Sequence, residues 1–458
     1  MKLYSENESY KLYQGNMLDM LEVIDKESID SIITDPPYEL NFMGKGWDNS
    51  GIAFQPDTWK KCYEVLKPGG YLLAFGGSRT FHRIACAIED AGFEIRDTIM
   101  WLYGSGFPKS QNIGKMYDKK MGNDRVKIGE TKIGKTSLGD GSGWDTSQNM
   151  KDIKATGKID ITKGTSKFEG WGSSLKPSYE PIIVARKPFK GSLVDNVIKY
   201  GVGGINIDEC RVEHNEPLKT TNRKGIQNYG DFNWNYDTTK NHIASANPKG
   251  RFPANTILTY DETDFEEVCG GFPISKSKGA FPKKINGKSN ITFRSDEERE
   301  NRIELNDSGS ASRYFYCAKA SKKDRDEGLD EFEEIKCSMM ASNDNIDKNG
   351  NFTGMLAGRK TKKRNTHPTV KPTNLMQYLV RLVTPNGGTI LDPFNGSGST
   401  GKAVMYENKE RDKNYKYIGI ELTEEYLPIA KARIEYVSSA EIDNKLNPQM
   451  SIFDYKEI

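Results

Sequence analysis

The stretch Ser28-Ile29-Asp30-Ser31-Ile32-Ile33-Thr34 runs directly into Asp35-Pro36-Pro37-Tyr38. Its first part is rich in β-branched and apolar residues, which is typical of a short buried strand. Two consecutive prolines cannot continue a sheet ladder, so we expect the strand to end there. Ligands of open α/β sheets bind at the carboxyl ends of the strands. The stretch therefore predicts a ligand site at the end of a parallel strand.

The tetrapeptide offers a ligand the Asp35 carboxylate, the Pro36 carbonyl oxygen and the flat ring of Tyr38. Proline fixes φ, so this segment is stiff before any ligand arrives. These groups suit a planar ring that carries an amine, because the oxygens can accept its N–H bonds while the tyrosine stacks on it. A plain strand-ending turn with a surface tyrosine is the alternative, and Pro-Pro alone would favour it.

A second strand of this kind lies near the other end of the chain. Thr389-Ile390-Leu391-Asp392-Pro393-Phe394 predicts a buried strand, which a glycine turn from Asn395 to Gly401 and a helix from Lys402 to Asn408 follow. A strand, a glycine turn and a helix N-terminus form a nucleotide-type cofactor site. The next strand, Tyr417 to Ile420, ends in Glu421, and an acid in that position accepts hydrogen bonds from ribose hydroxyls.

The glycine turn has two other interpretations. Gly396 to Lys402 fits most of the phosphate-binding pattern G-x-x-x-x-G-K, but Ala403 stands where that loop needs Ser or Thr for magnesium. The glycines also fit G-x-G-x-x-G, with Glu421 at about the distance expected in a dinucleotide fold. The turn alone does not exclude NAD. The Asp-Pro-Phe and Asp-Pro-Pro-Tyr stretches argue against it.

Taken together, the two stretches resemble the amino-directed DNA methyltransferases, which use S-adenosylmethionine. Asp35-Pro36-Pro37-Tyr38 matches the catalytic motif of that family, and Phe394-Asn395-Gly396-Ser397-Gly398 matches its cofactor motif F-x-G-x-G. His367-Pro368-Thr369-Val370-Lys371-Pro372 resembles its cofactor-side motif, and Arg313-Tyr314-Phe315-Tyr316-Cys317-Ala318-Lys319-Ala320 resembles a further block. A catalytic motif that precedes the cofactor motif is the order of the beta class. The resemblance covers residues 10–104, 179–190, 313–321 and 367–437.

The alternation of strands and helices predicts a doubly wound α/β sheet. The resemblance implies more: a mostly parallel, seven-stranded, circularly permuted sheet of the Rossmann-like methyltransferase type, with large polar insertions. It implies catalytic roles for Asp35, Pro36, Pro37 and Tyr38. The cofactor-binding residues that it implies are Asp392, Phe394, Asn395, Gly396, Gly398, Thr400, Glu421 and Lys371. Family members often carry Gly-Asp where this chain has Gly15-Asn16, so no cofactor contact is predicted for Asn16.

The reaction that the resemblance implies is methyl transfer to an exocyclic base amine in double-stranded DNA. The base is flipped out of the duplex, and neither a metal nor a covalent intermediate is needed. Asp at the first motif position favours adenine N6, with cytosine N4 as the alternative. A relative that methylates RNA or a protein glutamine, and a catalytically inactive DNA-binding protein, are further alternatives.

The composition sets outer limits on these expectations. The chain has 458 residues, 35% apolar residues, 44 glycines and a mean hydropathy of −0.71, which together predict a sound core with sizeable polar insertions. Its net charge is only +2, so any DNA-binding surface must be local. The six cysteines form no C-x-x-C pair and there are four histidines, so no structural zinc is expected. No signal peptide or long apolar run is present, which favours a cytoplasmic protein, of bacterial or phage origin by resemblance. The oligomeric state stays open, a homodimer included.

The pattern divides the chain into seven parts. We expect the two halves of the methyltransferase domain at 1–104 and 367–458, with a sheet strand at 179–190 and a further block at 313–321. The remaining parts are a basic Gly/Lys-rich insertion at 105–178, a target-recognition insertion at 191–312, and a polar and basic loop at 322–366 that shares in recognition.

Two of these parts carry excess positive charge. Residues 105–178 hold 14 Lys and Arg against 8 Asp and Glu. In the loop before His367, a basic run contains five cations in six residues: Arg359, Lys360, Lys362, Lys363 and Arg364. Such a run is often only solvated, but its position beside the expected active site predicts contacts to DNA phosphates.

Overall fold

The computed structural model describes residues 2–40, 46–103, 110–132, 158–212, 221–223, 242–244, 249–260, 274–277, 307–310, 315–319, 322–337 and 361–439. The strands in these ranges are β1 Lys2–Glu6, β2 Tyr10–Gln14, β3 Ile29–Thr34, β4 Leu66–Phe75, β5 Glu94–Tyr103, β6 Val126–Lys132, β7 Lys158–Lys163, β8 Tyr179–Arg186, β9 Thr221–Arg223, β10 His242–Ala244, β11 Thr256–Tyr260, β12 Ile274–Ser277, β13 Asp307–Ser310, β14 Tyr316–Lys319, β15 Ile335–Cys337, β16 Thr361–Lys363, β17 Thr389–Asp392 and β18 Lys416–Glu421.

The helices alternate with the strands mainly at the two ends of the chain. They are α1 Met17–Met20, α2 Pro56–Val65, α3 Phe81–Asp90, α4 Ile113–Met121, α5 Leu193–Tyr200, α6 Lys322–Asp326, α7 Thr373–Val383, α8 Ser399–Arg411 and α9 Leu427–Ser439.

One ten-stranded sheet organises the described part of the chain, in the order β1-β2-β18-β17-β3-β4-β8-β5-β11-β14. The strands from β2 to β4 in this order run parallel to their neighbours, and β8 runs antiparallel to β4 and β5. The predicted doubly wound, mostly parallel sheet is confirmed. The permutation is visible in the pairing of β17 with β3, where Leu391 lies opposite Ile32 although the two are far apart in sequence.

The sheet is wider than the seven strands that the resemblance implies. Those seven are the stretch from β2 to β5, and three strands extend it. β1 folds back antiparallel on β2 at one edge, while β11 and β14 continue the parallel pairing beyond β5 at the other. β11 comes from the interval 191–312, so part of that interval belongs to the main sheet rather than to a separate insertion.

Both faces of the central strands are buried, which explains their continuous apolar runs. Successive residues alternate between two cores: Ile32 packs with Trp59 of α2 and Ile84 of α3, whereas Ile33 packs with Leu379 of α7 and Val404 of α8. All six residues of β3 are buried. The helices therefore cover the sheet on both sides and leave the carboxyl ends of the parallel strands open.

The interval 105–178 has more structure than its composition indicates. Helix α4 is followed by the hairpin of β6 and β7, and Arg125 joins them through ion pairs with Asp118 and with Glu169, the latter at 2.6 Å. Ring contacts of Phe168 with Tyr117 and Trp171, at centroid distances of 5.7 and 5.8 Å, accompany these ion pairs. The local sequence pattern does not reveal contacts between segments so far apart in the chain.

The packing of α7 on α8 contains a buried ion pair. Arg381 Nη2 donates to Glu407 Oε1 at 2.8 Å, and the two side chains are 2% and 0% exposed. Substituting Arg381→Met removes the shortest contacts of the buried Glu407 carboxylate and leaves it only Arg411 Nε at 3.6 Å and Gln377 Nε2 at 3.3 Å. We therefore expect the free energy of unfolding to fall by about 3 kcal/mol, the lower end for a broken buried pair. Urea denaturation measures this change.

The matched control for this substitution is Lys431→Met, which removes an exposed pair with Glu435 at 4.0 Å on α9. An exposed pair of this kind contributes about 0.2–1 kcal/mol. Equal losses for the two variants would show that the buried pair does not hold the helices together.

Candidate active site

A cavity of about 1180 Å³ lies at the carboxyl ends of the central strands. At its glycine end, where β17 and β18 finish, the wall includes Phe394, Gly396 and Glu421. At its proline end, beyond β3 and beside the start of β8, the wall includes Asp35 and Tyr38. Because β17 and β3 are neighbours in the sheet, the two sequence motifs meet in one cavity. Pro36, Pro37, Asp392, Asn395, Thr400 and Lys371 also line it.

Asp35 presents one engaged and one unengaged carboxylate oxygen. Lys371 Nζ donates to Oδ2 at 2.6 Å. Oδ1 is buried and has no hydrogen-bond partner among the described residues. Burial raises the pKa of Asp35, and the Lys371 ammonium acts in the opposite direction. A buried acceptor without a partner is costly, so this oxygen is prepared for a donor from a ligand.

Tyr38 is held by its hydroxyl group, which donates to Glu180 Oε2 at 2.8 Å. The Lys371 ammonium lies 3.3 Å from the same hydroxyl. Burial, together with the nearby carboxylates of Asp35 and Glu180, raises the pKa of Tyr38 well above its ordinary value, so the phenol stays neutral. The hydrogen bond anchors the hydroxyl end of the ring, so the ring stays beside Asp35 in the cavity wall.

The sequence places Lys371 among the cofactor-binding residues, but the structure places its ammonium at the proline end. It lies between Asp35 and Glu180, 3.4 Å from the latter, and only 7% of the side chain is exposed. Burial lowers the pKa of Lys371, but the two carboxylates outweigh it and raise the pKa overall. The turn before α7 crosses to the end of β3, and local sequence does not reveal such a crossing.

Sequence reasoning also missed Glu180, the second residue of β8, which lies between Tyr179 and the buried run that follows. A single carboxylate directly before a continuous apolar run was the available signal. Besides Tyr38, it accepts a longer hydrogen bond of 3.4 Å from the Tyr103 hydroxyl. The proline end therefore combines two carboxylates, one ammonium and two phenols.

The glycine end is shaped by Gly396 and Glu421. The Gly396 N–H donates to Glu421 Oε2 at 2.7 Å, and the Thr423 N–H donates to Oε1 at 2.7 Å. Burial raises the pKa of Glu421, and these two backbone donors oppose it. Gly396 has φ +51°, and a Cβ there would lie 2.8 Å from His367 Nε2. The turn can come this close to His367 only without a side chain.

Asp392 links the end of β3 to the glycine turn through hydrogen bonds. Asp392 accepts hydrogen bonds from Thr34 at 2.7 Å, from Thr400 at 2.6 Å and from the Phe394 N–H at 3.1 Å. Burial raises the pKa of Asp392 to about 7. Asn395 is likewise engaged, because its Oδ1 accepts from the Tyr417 hydroxyl at 2.7 Å.

Gly398 and Lys402 both face other elements of the protein. Gly398, at φ +72°, faces helix α9: a Cβ there would lie 3.0 Å from the Ala430 Cα. Lys402, which a phosphate-binding loop would direct at its ligand, is fully buried and pairs with Asp324 at 2.6 Å and Glu327 at 2.7 Å. This placement excludes the phosphate-binding-loop interpretation.

His367 covers the glycine turn as a neutral ring. Its ring meets the Tyr426 ring edge-on at a centroid distance of 4.6 Å. Burial, with the charge of Lys371, lowers the pKa of His367 to about 3. The ring therefore adds a flat wall, not a charge, to the glycine end.

The basic run is only partly described. Arg359 and Lys360 lie outside the described residues, as do the side chains of Lys362 and Lys363, whose backbone forms β16 with β15 as its partner. Arg364 Nη1 donates to Asp330 Oδ1 at 3.1 Å. The contacts of this run with DNA stay a prediction.

The described ranges lack two further kinds of feature. They contain no group of three or more His, Cys, Asp or Glu that could hold a metal ion. Nor does any helix there have the length and apolar character needed to span a membrane.

Several known proteins are similar to this chain. A family model of N6/N4-type DNA methylases matches residues 29–432. The type II methyltransferase M2.LlaDCHI of Lactococcus lactis subsp. cremoris is 32% identical over 232 residues, which are 44% of this chain and 82% of that protein. M.HindIII of Haemophilus influenzae is 22% identical over 237 residues, 43% of this chain and 64% of that protein, so the chain spans less than two thirds of it. Among solved structures, the cytosine-N4-specific PvuII DNA methyltransferase is 13% identical with a TM-score of 0.37, over 96% of this chain and 89% of that one.

The position of Gly398 against α9 predicts a structural role for this glycine. Gly398→Ala should lower the free energy of unfolding by about 2 kcal/mol more than Gly387→Ala does, because overpacking adds to the backbone strain. Gly387 is the matched control, since it has φ +76° and open space around an added Cβ. Urea denaturation compares the two variants. Equal losses would mean that the contact with Ala430 is not tight.

Proposed function

We propose that this chain, which belongs to the family of N6/N4 DNA methylases, transfers the methyl group of S-adenosylmethionine to the N6 amine of adenine in double-stranded DNA. The observation that carries the proposal is the buried Asp35 Oδ1, which lies in the cavity wall without a hydrogen-bond partner in the described part of the chain. An exocyclic amine supplies the N–H donor that such an oxygen lacks.

S-adenosylmethionine, the cofactor of this family, supplies an electrophilic methyl group when it is bound. The glycine end has the groups that suit it. Each Glu421 oxygen accepts one backbone N–H and keeps a further lone pair, which can accept a hydrogen bond from a ribose hydroxyl. Phe394 and His367 add apolar walls for the rest of the molecule.

Asp35 and Pro36 act on the acceptor. The lone pair of an exocyclic amine is conjugated with its ring, which makes the amine a poor nucleophile. Hydrogen bonds from its two N–H groups to the Asp35 carboxylate and the Pro36 carbonyl favour a tetrahedral nitrogen, whose lone pair is free. The remaining contribution is positioning, which supplies roughly 7–11 kcal/mol at its upper limit.

Tyr38 receives the base. A base inside a duplex cannot reach a buried carboxylate, so the nucleotide has to leave the helix and stack in the cavity. The ring of Tyr38 lies next to Asp35 in the cavity wall, and its hydroxyl is tied to Glu180. This arrangement supports stacking of the base on Tyr38, because the tyrosine side chain is already held in place before the base arrives.

Adenine is preferred over cytosine because the motif begins with Asp. The alternative is transfer to cytosine N4, for which the same acceptors would serve. Outside the cavity, we assign DNA phosphate contacts to the basic run and to residues 105–178. We assign most of the base reading to residues 191–312.

The first test is the identity of the methylated base. After incubation of the protein with S-adenosylmethionine and unmethylated genomic DNA, mass spectrometry of the digested nucleosides should find N6-methyladenine. N4-methylcytosine would instead establish the alternative. Asp35→Ala should abolish transfer while cofactor binding, measured by calorimetry, is retained, because Asp35 acts on the amine.

A matched control is Asp30→Ala, which removes a carboxylate from β3, the strand that leads into Asp35. This carboxylate pairs with Lys67 at 2.6 Å and does not line the cavity. This variant should keep its activity at temperatures where it is folded. Turnover near the wild-type rate in Asp35→Ala would contradict the mechanism.

The basic run yields a separate prediction. Replacing Arg359, Lys360, Lys362, Lys363 and Arg364 together by Gln should weaken DNA binding equally on target and unrelated duplexes, because phosphates are the same on every sequence. Each lost phosphate contact should flatten the log–log salt dependence by about 0.9. Salt titrations on both duplexes measure this slope. An unchanged slope would mean that the run is only solvated, and a loss confined to the target would mean that it reads bases.

A further inference from the structure

The ammonium of Lys371 has surroundings that the proposed reaction does not yet use. It contacts Asp35 Oδ2 at 2.6 Å and Glu180 Oε2 at 3.4 Å. It also lies over the rings of Tyr38, Phe75 and Trp101, at 5.4, 4.9 and 5.9 Å from their centroids. A lysine that is 7% exposed and enclosed in this way has no freedom to follow a ligand.

We propose that Lys371 and Glu180 are positioning residues that set the orientation and the ionisation of Asp35, with opposite effects on its charge. This inference rests on the proposed function, in which Asp35 accepts a hydrogen bond from the amine. Lys371 favours the ionised carboxylate, and Glu180 disfavours it while holding Lys371 and Tyr38 in place.

The orientation follows from which oxygen is engaged. Lys371 takes Oδ2, so the carboxylate cannot rotate without losing a short charge-assisted hydrogen bond. Oδ1 is thereby left as the oxygen without a partner among the described residues. A fixed carboxylate with one open oxygen offers the amine a single acceptor position next to the Pro36 carbonyl.

The ionisation follows from the charges around Asp35. Lys371 approaches it from the turn before α7, Glu180 from β8, Tyr38 from its own segment and Asp392 from the end of β17. Burial and the Glu180 carboxylate both favour the protonated form, and Lys371 and the Tyr38 hydroxyl oppose them. A protonated Asp35 would lose acceptor strength, so Lys371 is the group that keeps it active.

Glu180 also contacts two phenols. Its two oxygens accept hydrogen bonds from Tyr38 and Tyr103. Gln at this position keeps an acceptor for Tyr38 but removes the negative charge. Glu180→Gln therefore separates the charge effect from the effect of shape.

The test is the pH dependence of single-turnover methyl transfer to unmethylated genomic DNA with saturating S-adenosylmethionine. Transfer should rise with pH as Asp35 ionises. In Lys371→Met this rise should move to higher pH by about 1–3 units, the effect of an opposite charge at short range. Lys371→Arg should restore most of it. In Glu180→Gln the rise should move to lower pH, because a like charge has been removed.

A second readout does not depend on activity. Difference infrared titration of the free protein, with the Asp35 band assigned by its loss in Asp35→Asn, should show the same opposite shifts of the Asp35 pKa. Lys67→Met is the matched control, since Lys67 pairs with the Asp30 carboxylate at the same distance of 2.6 Å but outside the cavity. It should shift neither profile.

The inference is overturned if Lys371→Met and Glu180→Gln shift the Asp35 titration in the same direction, or not at all. Should Lys371→Met fail to fold, Glu180→Gln alone decides, because a titration that stays in place or moves to higher pH contradicts the proposal. An inactive wild-type protein with opposite infrared shifts would reject the proposed reaction and leave the role of the two residues supported.

Discussion

The hydrogen bond between Thr34 and Asp392 joins the two halves of the active site. It is 2.7 Å long, is buried and links residues 358 positions apart. This hydrogen bond lies where β3 and β17 pair side by side. If the two strands were not neighbours, the Asp-Pro-Pro-Tyr turn and the glycine turn would lie on separate surfaces. Because both strands are parallel and end at the same edge, the turns that follow them line the same cavity.

The cofactor half of the protein is supported by buried charge as well as by apolar packing. Lys402 is fully buried between Asp324 and Glu327, and Arg433 Nη1 donates to the Ser397 carbonyl at 2.8 Å. These contacts tie α6 and α9 to the glycine turn. The same residues explain why the pattern G-x-x-x-x-G-K does not indicate a phosphate site here. Lys402 pairs with carboxylates from a segment that is distant in sequence, so its ammonium does not face the glycine turn.

The sequence predicted the central strands closely, because strands buried on both faces have unbroken apolar runs. β3 spans Ile29–Thr34 within the predicted stretch from Ser28 to Thr34, and β18 spans Lys416–Glu421 around the predicted Tyr417 to Ile420. Two kinds of feature escaped. The unit around Arg125 is joined by contacts between separated segments, such as that of Arg125 with Glu169, and β11 joins the sheet by pairing across a long interval. The positions of Lys371 and Gly398 depend on which elements meet in space, so a motif that names these residues does not specify what they touch.

The charge of the cavity wall affects which parts of the proposed substrates can enter the cavity. The wall has more carboxyl groups than cations, and two of the carboxylates engage the Lys371 ammonium. The carboxyl groups are those of Asp35, Asp48, Glu180, Asp392 and Glu421, and the cations are Arg79, Lys176 and Lys371. Such a wall favours a positively charged ligand, as the sulfonium of S-adenosylmethionine is, and disfavours phosphates. The DNA backbone must then be held outside the cavity. In the proposed reaction, we assign the phosphates to the lysine and arginine excess of residues 105–178 and to the basic run.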